Sequence, residues 1–213
     1  MEHSGQKEQL LRPEEIEAES FRIIKQELEA MGVSLPEDRD LLIRRVIHTT
    51  ADFSYADTMR FSEGAVGILQ ELLRQGARIV TDTQMAMAGI NKRKLAAFGC
   101  EAYCFMSDPD VAEEAKARET TRAVVSMERA AALEGPVVYV IGNAPTALLR
   151  LRDMILRGTY RPAFIVGVPV GFVNVEYAKE CIMALDVPYI VNAGRKGGSN
   201  VAAAIVNAVL YSL

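Results

Sequence analysis

Two histidines occur in the sequence, His3 and His48. His48 stands in Val46-Ile47-His48-Thr49-Thr50-Ala51-Asp52-Phe53, where an apolar approach, Leu41-Leu42-Ile43 and then Val46-Ile47, gives way to two hydroxyls and a carboxylate. Imidazole has an unperturbed pKa of about 6.5, so it takes or gives a proton near neutral pH. An imidazole with hydrogen-bonding neighbours suits general acid–base catalysis. The same position also suits a histidine with no catalytic role, since a helix C-terminus favours a cation. Asp52 reads either as the group that orients the ring or as a cap for the turn that follows.

Four loops hold the other residues with chemical potential. They are Thr81-Asp82-Thr83-Gln84-Met85, Gly142-Asn143-Ala144-Pro145-Thr146, Gly167-Val168-Pro169-Val170-Gly171-Phe172, and Asn192-Ala193-Gly194-Arg195-Lys196-Gly197-Gly198-Ser199-Asn200. Glycine lets a ligand come close to the backbone, and free N–H groups at a helix start attract anions. The last loop adds Arg195 and Lys196, which makes it a cradle for a carboxylate or a phosphate. Neither Gly-x-x-x-x-Gly-Lys-Ser/Thr nor Gly-x-Gly-x-x-Gly is present, so nucleotide and dinucleotide binding are disfavoured. The competing reading is that the glycines only permit tight turns between helix and strand. Further basic groups lie in Ile90-Asn91-Lys92-Arg93-Lys94 and at Arg122. They are either solvated helix faces or a local field that favours an acidic substrate.

The elements that must position these residues follow from the hydrophobic pattern. Residues 1–12 read as a polar tail and residues 13–213 as one domain. Ile16, Phe21, Ile24, Leu28 and Met31 recur at helical spacing from Pro13 to Gly32, which predicts an amphipathic N-terminal helical arm. A second helix over 37–48 ends at the histidine, a helical piece spans Tyr55 to Phe61, and a helix runs from Ser62 to Gln75. Five short apolar runs follow: Arg78–Asp82, Glu101–Phe105, Val137–Ile141, Ala163–Gly167 and Pro188–Asn192. Most are apolar throughout, as strands buried on both faces of a parallel sheet are. Helical segments over 84–98, 110–134, 143–157, 174–185 and 199–212 separate them. The expected fold is α/β, a three-layer sandwich around a five-stranded parallel sheet, in which ligands bind outside the carboxyl ends of the strands.

Composition narrows the function classes. Half of the 213 residues are apolar, 24% are charged and the net charge is −4. No basic excess points to nucleic acid, and no apolar run approaches the roughly 20 residues of a membrane span. The polar start carries no signal segment, so a cytoplasmic protein is expected. Cys100, Cys104 and Cys181 match no disulfide framework or zinc spacing and read as buried thiols.

Beyond these readings, several stretches match a known family together. They are Glu19-Ser20-Phe21-Arg22-Ile23-Ile24, Val46 to Asp52, Ile79-Val80-Thr81-Asp82-Thr83-Gln84-Met85, Gly89-Ile90-Asn91-Lys92-Arg93, Ile141 to Leu148, Gly167 to Phe172, and Gly194 to Ala204. The sequence resembles the precorrin-8X methylmutases of corrin synthesis, also called cobalt-precorrin-8 methylmutases, from residue 19 almost to the C-terminus. The resemblance implies a flavodoxin-like sheet, a homodimer and no added cofactor. It implies isomerisation of a modified tetrapyrrole, precorrin-8X or its cobalt form, in which a methyl group moves from C11 to C12 of ring C. His48 matches the family's catalytic histidine, and Ser20 matches a serine at the substrate site. Thr49, Thr50 and Asp52, Thr83 and Gln84, Arg93, Arg122, Gly142 and Asn143, Val168 and Gly171, and Gly194, Arg195, Lys196, Gly197 and Ser199 are expected to line the substrate rather than do chemistry. No residue is expected to bind a metal.

A cofactor-free methyl shift fits the residues. It needs no redox partner and no nucleophile, and one proton donor that polarises the π system is enough. Two other classes remain at this stage. One is a tetrapyrrole carrier without catalysis. The other is a sugar-phosphate isomerase that uses His48 and the Gly194–Asn200 loop.

Overall fold

The computed structural model of the protein describes residues 12–213. The stretch expected as a tail lies outside the described residues except for Arg12. The Arg12 backbone N–H donates to the Glu15 carboxylate at 2.8 Å, and Pro13 opens helix α1 (Pro13–Ala30), where its missing N–H costs nothing. Gly32, in the left-handed region at φ +71°, ends it. The arm is less buried than its periodicity predicts. Ile24 and Leu28 pack inward, whereas Ile16, Ile23 and Met31 are exposed.

Helix α2 (Glu37–Thr50) has Glu37, Asp38 and Asp40 in its first turn, where the dipole favours negative charge. Its buried stripe, Leu42, Ile43, Val46 and Ile47, packs on the C-terminal helix α11 (Ser199–Tyr211). Nine of α11's residues are buried, four of them alanines and valines in Val201-Ala202-Ala203-Ala204, and such small side chains let neighbouring helices approach closely. α2 stops at Ala51, which takes the left-handed conformation at φ 52°.

The segment expected to be helical from Tyr55 to Phe61 divides into α3 (Tyr55–Thr58) and a strand, β1 (Met59–Phe61). β1 pairs antiparallel with β6 (Tyr189–Asn192), Met59 facing Asn192. Among the described residues the sheet therefore has six strands and is mixed, not five and wholly parallel. The other strands are β2 (Arg78–Thr81), β3 (Glu101–Tyr103), β4 (Val137–Ile141) and β5 (Phe164–Gly167). Their pairings with one another and with β6 are all parallel. From the far edge they run β3-β2-β4-β5-β6, the order of flavodoxin-like doubly wound sheets.

β4 shows why an unbroken apolar run means burial on both faces. All five of its residues are buried. Val138 and Val140 enter the core that also holds α2, α11 and α4 (Ala65–Arg74), while Val137, Tyr139 and Ile141 enter the core under α8 (Arg122–Ala130), α9 (Pro145–Leu156) and α10 (Val175–Met183). Successive side chains alternate across a strand, and each large one stabilises by roughly 1.5–3 kcal/mol when removed from water.

Two expected helices are each broken by a cap. Asn91 accepts the Lys94 N–H at 3.1 Å and restarts the chain, so 84–98 holds α5 (Gln84–Gly89) and α6 (Lys92–Ala97). Thr121 accepts the Val124 N–H at 3.3 Å, which separates α7 (Pro109–Ala117) from α8. Of the three free cysteines Cys100 is buried, while Cys104 and Cys181 are half-buried rather than enclosed as expected.

Candidate active site

In a doubly wound sheet the crevice opens where neighbouring strands send their connections to opposite faces, here between β2 and β4. Asp82, the residue after β2, fills that point. Its side chain is buried, and its carboxylate accepts the N–H groups of Gly142, Asn143 and Ala144 at 2.8, 2.8 and 2.6 Å. Burial pushes this carboxyl above its ordinary value, and the three N–H donors pull against that. Those donors are the free groups at the start of α9, the place where many such folds hold a ligand's phosphate. Here the protein supplies its own anion.

The neighbouring loops are packed backbone on backbone. A Cβ on Gly142 would stand 2.7 Å from the Ser199 Cα. One on Gly197, at φ +154°, would stand 2.1 Å from the Val168 carbonyl oxygen. At these two glycines the close neighbour is the protein's own chain. The Val168 side chain is buried, so what it offers the rim is its carbonyl, which accepts the Gly198 N–H at 2.9 Å. The Thr83 and Ser199 hydroxyls bond one another at 2.7 Å, and Thr83 also caps α5. Gly171 and Gly194 turn the β5 and β6 loops at φ +149° and +77°.

Two residues hold the β6 loop in shape, Asn192 at its start and Lys179, which the sequence pattern did not mark. Lys179 of α10 donates from Nζ to the carbonyls of Gly194 and Lys196 at 2.7 and 2.8 Å. Asn192 donates to the Lys196 carbonyl at 2.9 Å and accepts the Thr58 hydroxyl at 2.7 Å. A signal for Lys179 existed, since it falls on the buried stripe of α10 with Val175, Ala178 and Ile182.

Charged side chains project from this frame. Lys196 donates to Asp52 at 2.6 Å and to Ser54 at 2.9 Å. The ammonium holds the Asp52 carboxyl below its ordinary value, helped by the Ser54 hydroxyl. Asp52 also accepts the Ser54 backbone N–H at 3.0 Å, so it caps the turn, and its carboxylate is engaged by Ser54 and Lys196 rather than by His48. Arg195 is exposed, paired with Glu176 at 3.1 Å and placed 5.6 Å over the Phe172 ring. Gln84 and Asn143 are exposed at the β2 and β4 loops. Arg122 starts α8 beside α9, since Thr121 donates to Thr146 at 3.1 Å, and so stands on the opposite helical layer from His48. Arg93 is exposed on α6, and no hydrogen bond or ion pair joins it to the rest of the expected set.

His48 lies in the last turn of α2, which the Asp52–Lys196 contact brings to the carboxyl end of β6. The ring is exposed and tilts against Phe21 at 5.4 Å between centroids. Among the described residues no group hydrogen-bonds to its nitrogens. It lines a depression of about 240 Å³ with Ser20, Ile23, Ile24, Glu27, Ile47, Ala51 and Phe53. Ser20 thus lines the same depression as His48, although its hydroxyl donates to the Ile16 carbonyl at 2.8 Å. Thr49 is exposed beside the ring, and the Thr50 hydroxyl bonds back to Val46 at 2.8 Å. A larger groove of about 330 Å³ between α1 and α2, lined by Lys25, Glu29, Asp40 and Arg44 among others, holds none of the expected residues. The His48 depression is the better candidate because it alone of the two holds an imidazole, a side chain suited to general acid–base work.

The chain as a whole is similar to known proteins. A cobalt-precorrin-8 methylmutase of Salmonella typhimurium is 45% identical over 209 residues, covering 95% of this chain and 96% of that protein. A precorrin-8X methylmutase of Pseudomonas aeruginosa is 40% identical over 194 residues, covering 90% and 91%. The crystal structure of a precorrin-8X methylmutase from Thermus thermophilus superposes with a TM-score of 0.82 at 41% identity, over 92% of this chain and 96% of that one. The family model for precorrin-8X methylmutase matches residues 15–212. With the whole α/β body matched in both sequence and structure, this chain belongs to the precorrin-8X methylmutase family.

Proposed function

We propose that the protein is an isomerase of cobalamin synthesis that moves a methyl group from C11 to C12 of precorrin-8X or its cobalt form. His48 acts as the general acid. The observation that carries this reading is the His48 imidazole, exposed in a depression beside Ser20, its nitrogens unclaimed by any described residue. The reaction is an isomerisation, so no atom enters or leaves. His48 lends a proton to the ring system as the methyl group migrates and recovers it afterwards, which lowers the barrier by stabilising charge in the transition state.

The depression is smaller than the roughly 300–1,000 Å³ usual for a ligand site. One edge of the macrocycle enters it, and the rest lies across the rim. There Arg195 and Lys196 meet the peripheral carboxylates, and Phe172 and Met85, both exposed, meet the apolar face. We read Gly142, Gly197, Val168, Thr83 and Ser199 as the frame under this surface rather than as contacts. An edge-on fit also supports a homodimer, with a second copy covering the exposed Ile16 and Ile23 of the arm. Residues 13–213 act as one cytoplasmic domain. Among the described residues no helix is long and apolar enough to cross a membrane.

The test is turnover. The purified protein mixed with precorrin-8X gives a time-dependent change of absorbance to that of hydrogenobyrinic acid. A stoichiometric shift complete on mixing, with no further change, refutes catalysis and leaves a carrier. Light scattering in solution gives twice the chain mass, and a monomer refutes the dimer.

A further inference from the structure

We infer that Lys179 is a positioning residue for the proposed reaction, one that fixes the Gly194–Gly198 loop in its substrate-binding shape. This rests on the reading of that loop as the rim that meets the substrate's carboxylates.

Lys179 is 0% exposed. A buried ammonium is unfavourable unless it is paired and hydrogen-bonded. A neighbouring carboxylate is the usual partner, but here Nζ donates to two main-chain carbonyls, those of Gly194 and Lys196. The two carbonyls belong to the Gly194–Arg195 and Lys196–Gly197 peptide units, so the planes that bracket the Arg195-Lys196 pair are held. The Lys196 carbonyl takes a second donor from Asn192, and Gly194 needs its positive φ to make the turn.

The consequences run outward through two side chains. Arg195 leaves the fixed backbone toward Glu176 and the Phe172 ring. Lys196 leaves it toward Asp52 and Ser54, just past the end of the helix that carries His48. One buried nitrogen thus ties the rim cations to the element that holds the acid. Desolvation lowers the Lys179 pKa to about 8, with Glu176 pulling the other way, so the group remains mainly cationic near neutral pH. An apolar residue would satisfy the surrounding stripe of Val175, Ala178 and Ile182 without the desolvation. What it would lose is the hold on the loop.

The experiment compares wild type with Lys179→Met, a change that keeps an unbranched side chain, one atom shorter, and removes its donors. KM rises about tenfold while kcat stays within about twofold, because ordered binding is lost and the chemistry is not touched. Amide hydrogen exchange quickens over residues 193–198 and is unchanged in the strands. Lys179→Gln, with two N–H donors on a shorter stem, recovers part of the KM effect and is the variant to read should Lys179→Met not fold. Unchanged KM with unchanged loop exchange overturns the proposal, as does a fall confined to kcat. Loss of the thermal transition in both variants also overturns it, since the role is then in folding. If the wild type does not turn over the tetrapyrrole, the proposed function falls, and the exchange measurement alone decides Lys179.

Discussion

The loops after β4, β5 and β6 and the last turn of α2 are both at the carboxyl end of the sheet, yet they are held in opposite ways. The loops are locked from beneath. Asp82 gathers three N–H groups, Lys179 holds two carbonyls, and two glycines admit contacts closer than any side chain allows. The α2 turn is joined to that frame from above, through Lys196 and Asp52, and among the rings of the described residues its imidazole touches only Phe21. Binding groups that must match a large substrate gain from a preorganised frame. In the role proposed for it, His48 changes its own bonding during the reaction, and a group in that role gains from having no competing partner.

The largest effect should come from the lightly held side. His48→Ala lowers kcat by about 10²–10⁴-fold, with corrinoid binding and Tm close to wild type because the ring is exposed. Equal loss of binding would move His48 into the frame and erase the contrast. On the locked side, Gly197→Ala forces a methyl group onto the Val168 carbonyl and should destabilise by about 3 kcal/mol, a fall in Tm of roughly 9 °C for a chain of this size. A stable Gly197→Ala protein would show that the loops are looser than their contacts indicate.

Asp82→Asn tests the same frame more gently. Whichever way the amide turns, an NH2 group faces at least one of the three N–H donors, and the loss expected in urea unfolding is about 2 kcal/mol. Lys196→Ala cuts the link between the two regions. The pair is partly exposed, its side chains 55% and 30% accessible, so stability changes by less than about 1 kcal/mol. The sign with pH is fixed by Asp52. Its folded pKa is lowered, so the contribution is fully present above the ordinary aspartate value of 3.8 and is lost as pH falls through the lower folded value. The gap between wild type and Lys196→Ala should therefore close in acid, and a gap that persists there would mean the tether is not ionic.

The sheet was legible in the sequence because double-sided burial leaves continuous apolar runs such as Val137–Ile141. The end of α2 was legible because Leu42, Ile43, Val46 and Ile47 keep helical spacing up to His48. β1 was not, since three residues carry too little pattern to separate a strand from a helical turn. Lys179 and Asp82 were missed as structural groups for another reason. Composition presents a lysine or an aspartate as a surface residue, and only the fold shows the carbonyls or amides that make burial tolerable. The glycines were seen but their neighbours were not. Gly142 and Gly197 make room for Ser199 and Val168, contacts between residues that the chain keeps far apart.

The two borders of the sheet are its shortest strands, β1 and β3, each of three residues and each with a charged residue exposed, Arg60 on one and Glu101 on the other. So short and charged a margin offers another polypeptide little to zip onto. The protein is thereby guarded against fibrillar growth at high expression, and any stable association between copies is left to its helices.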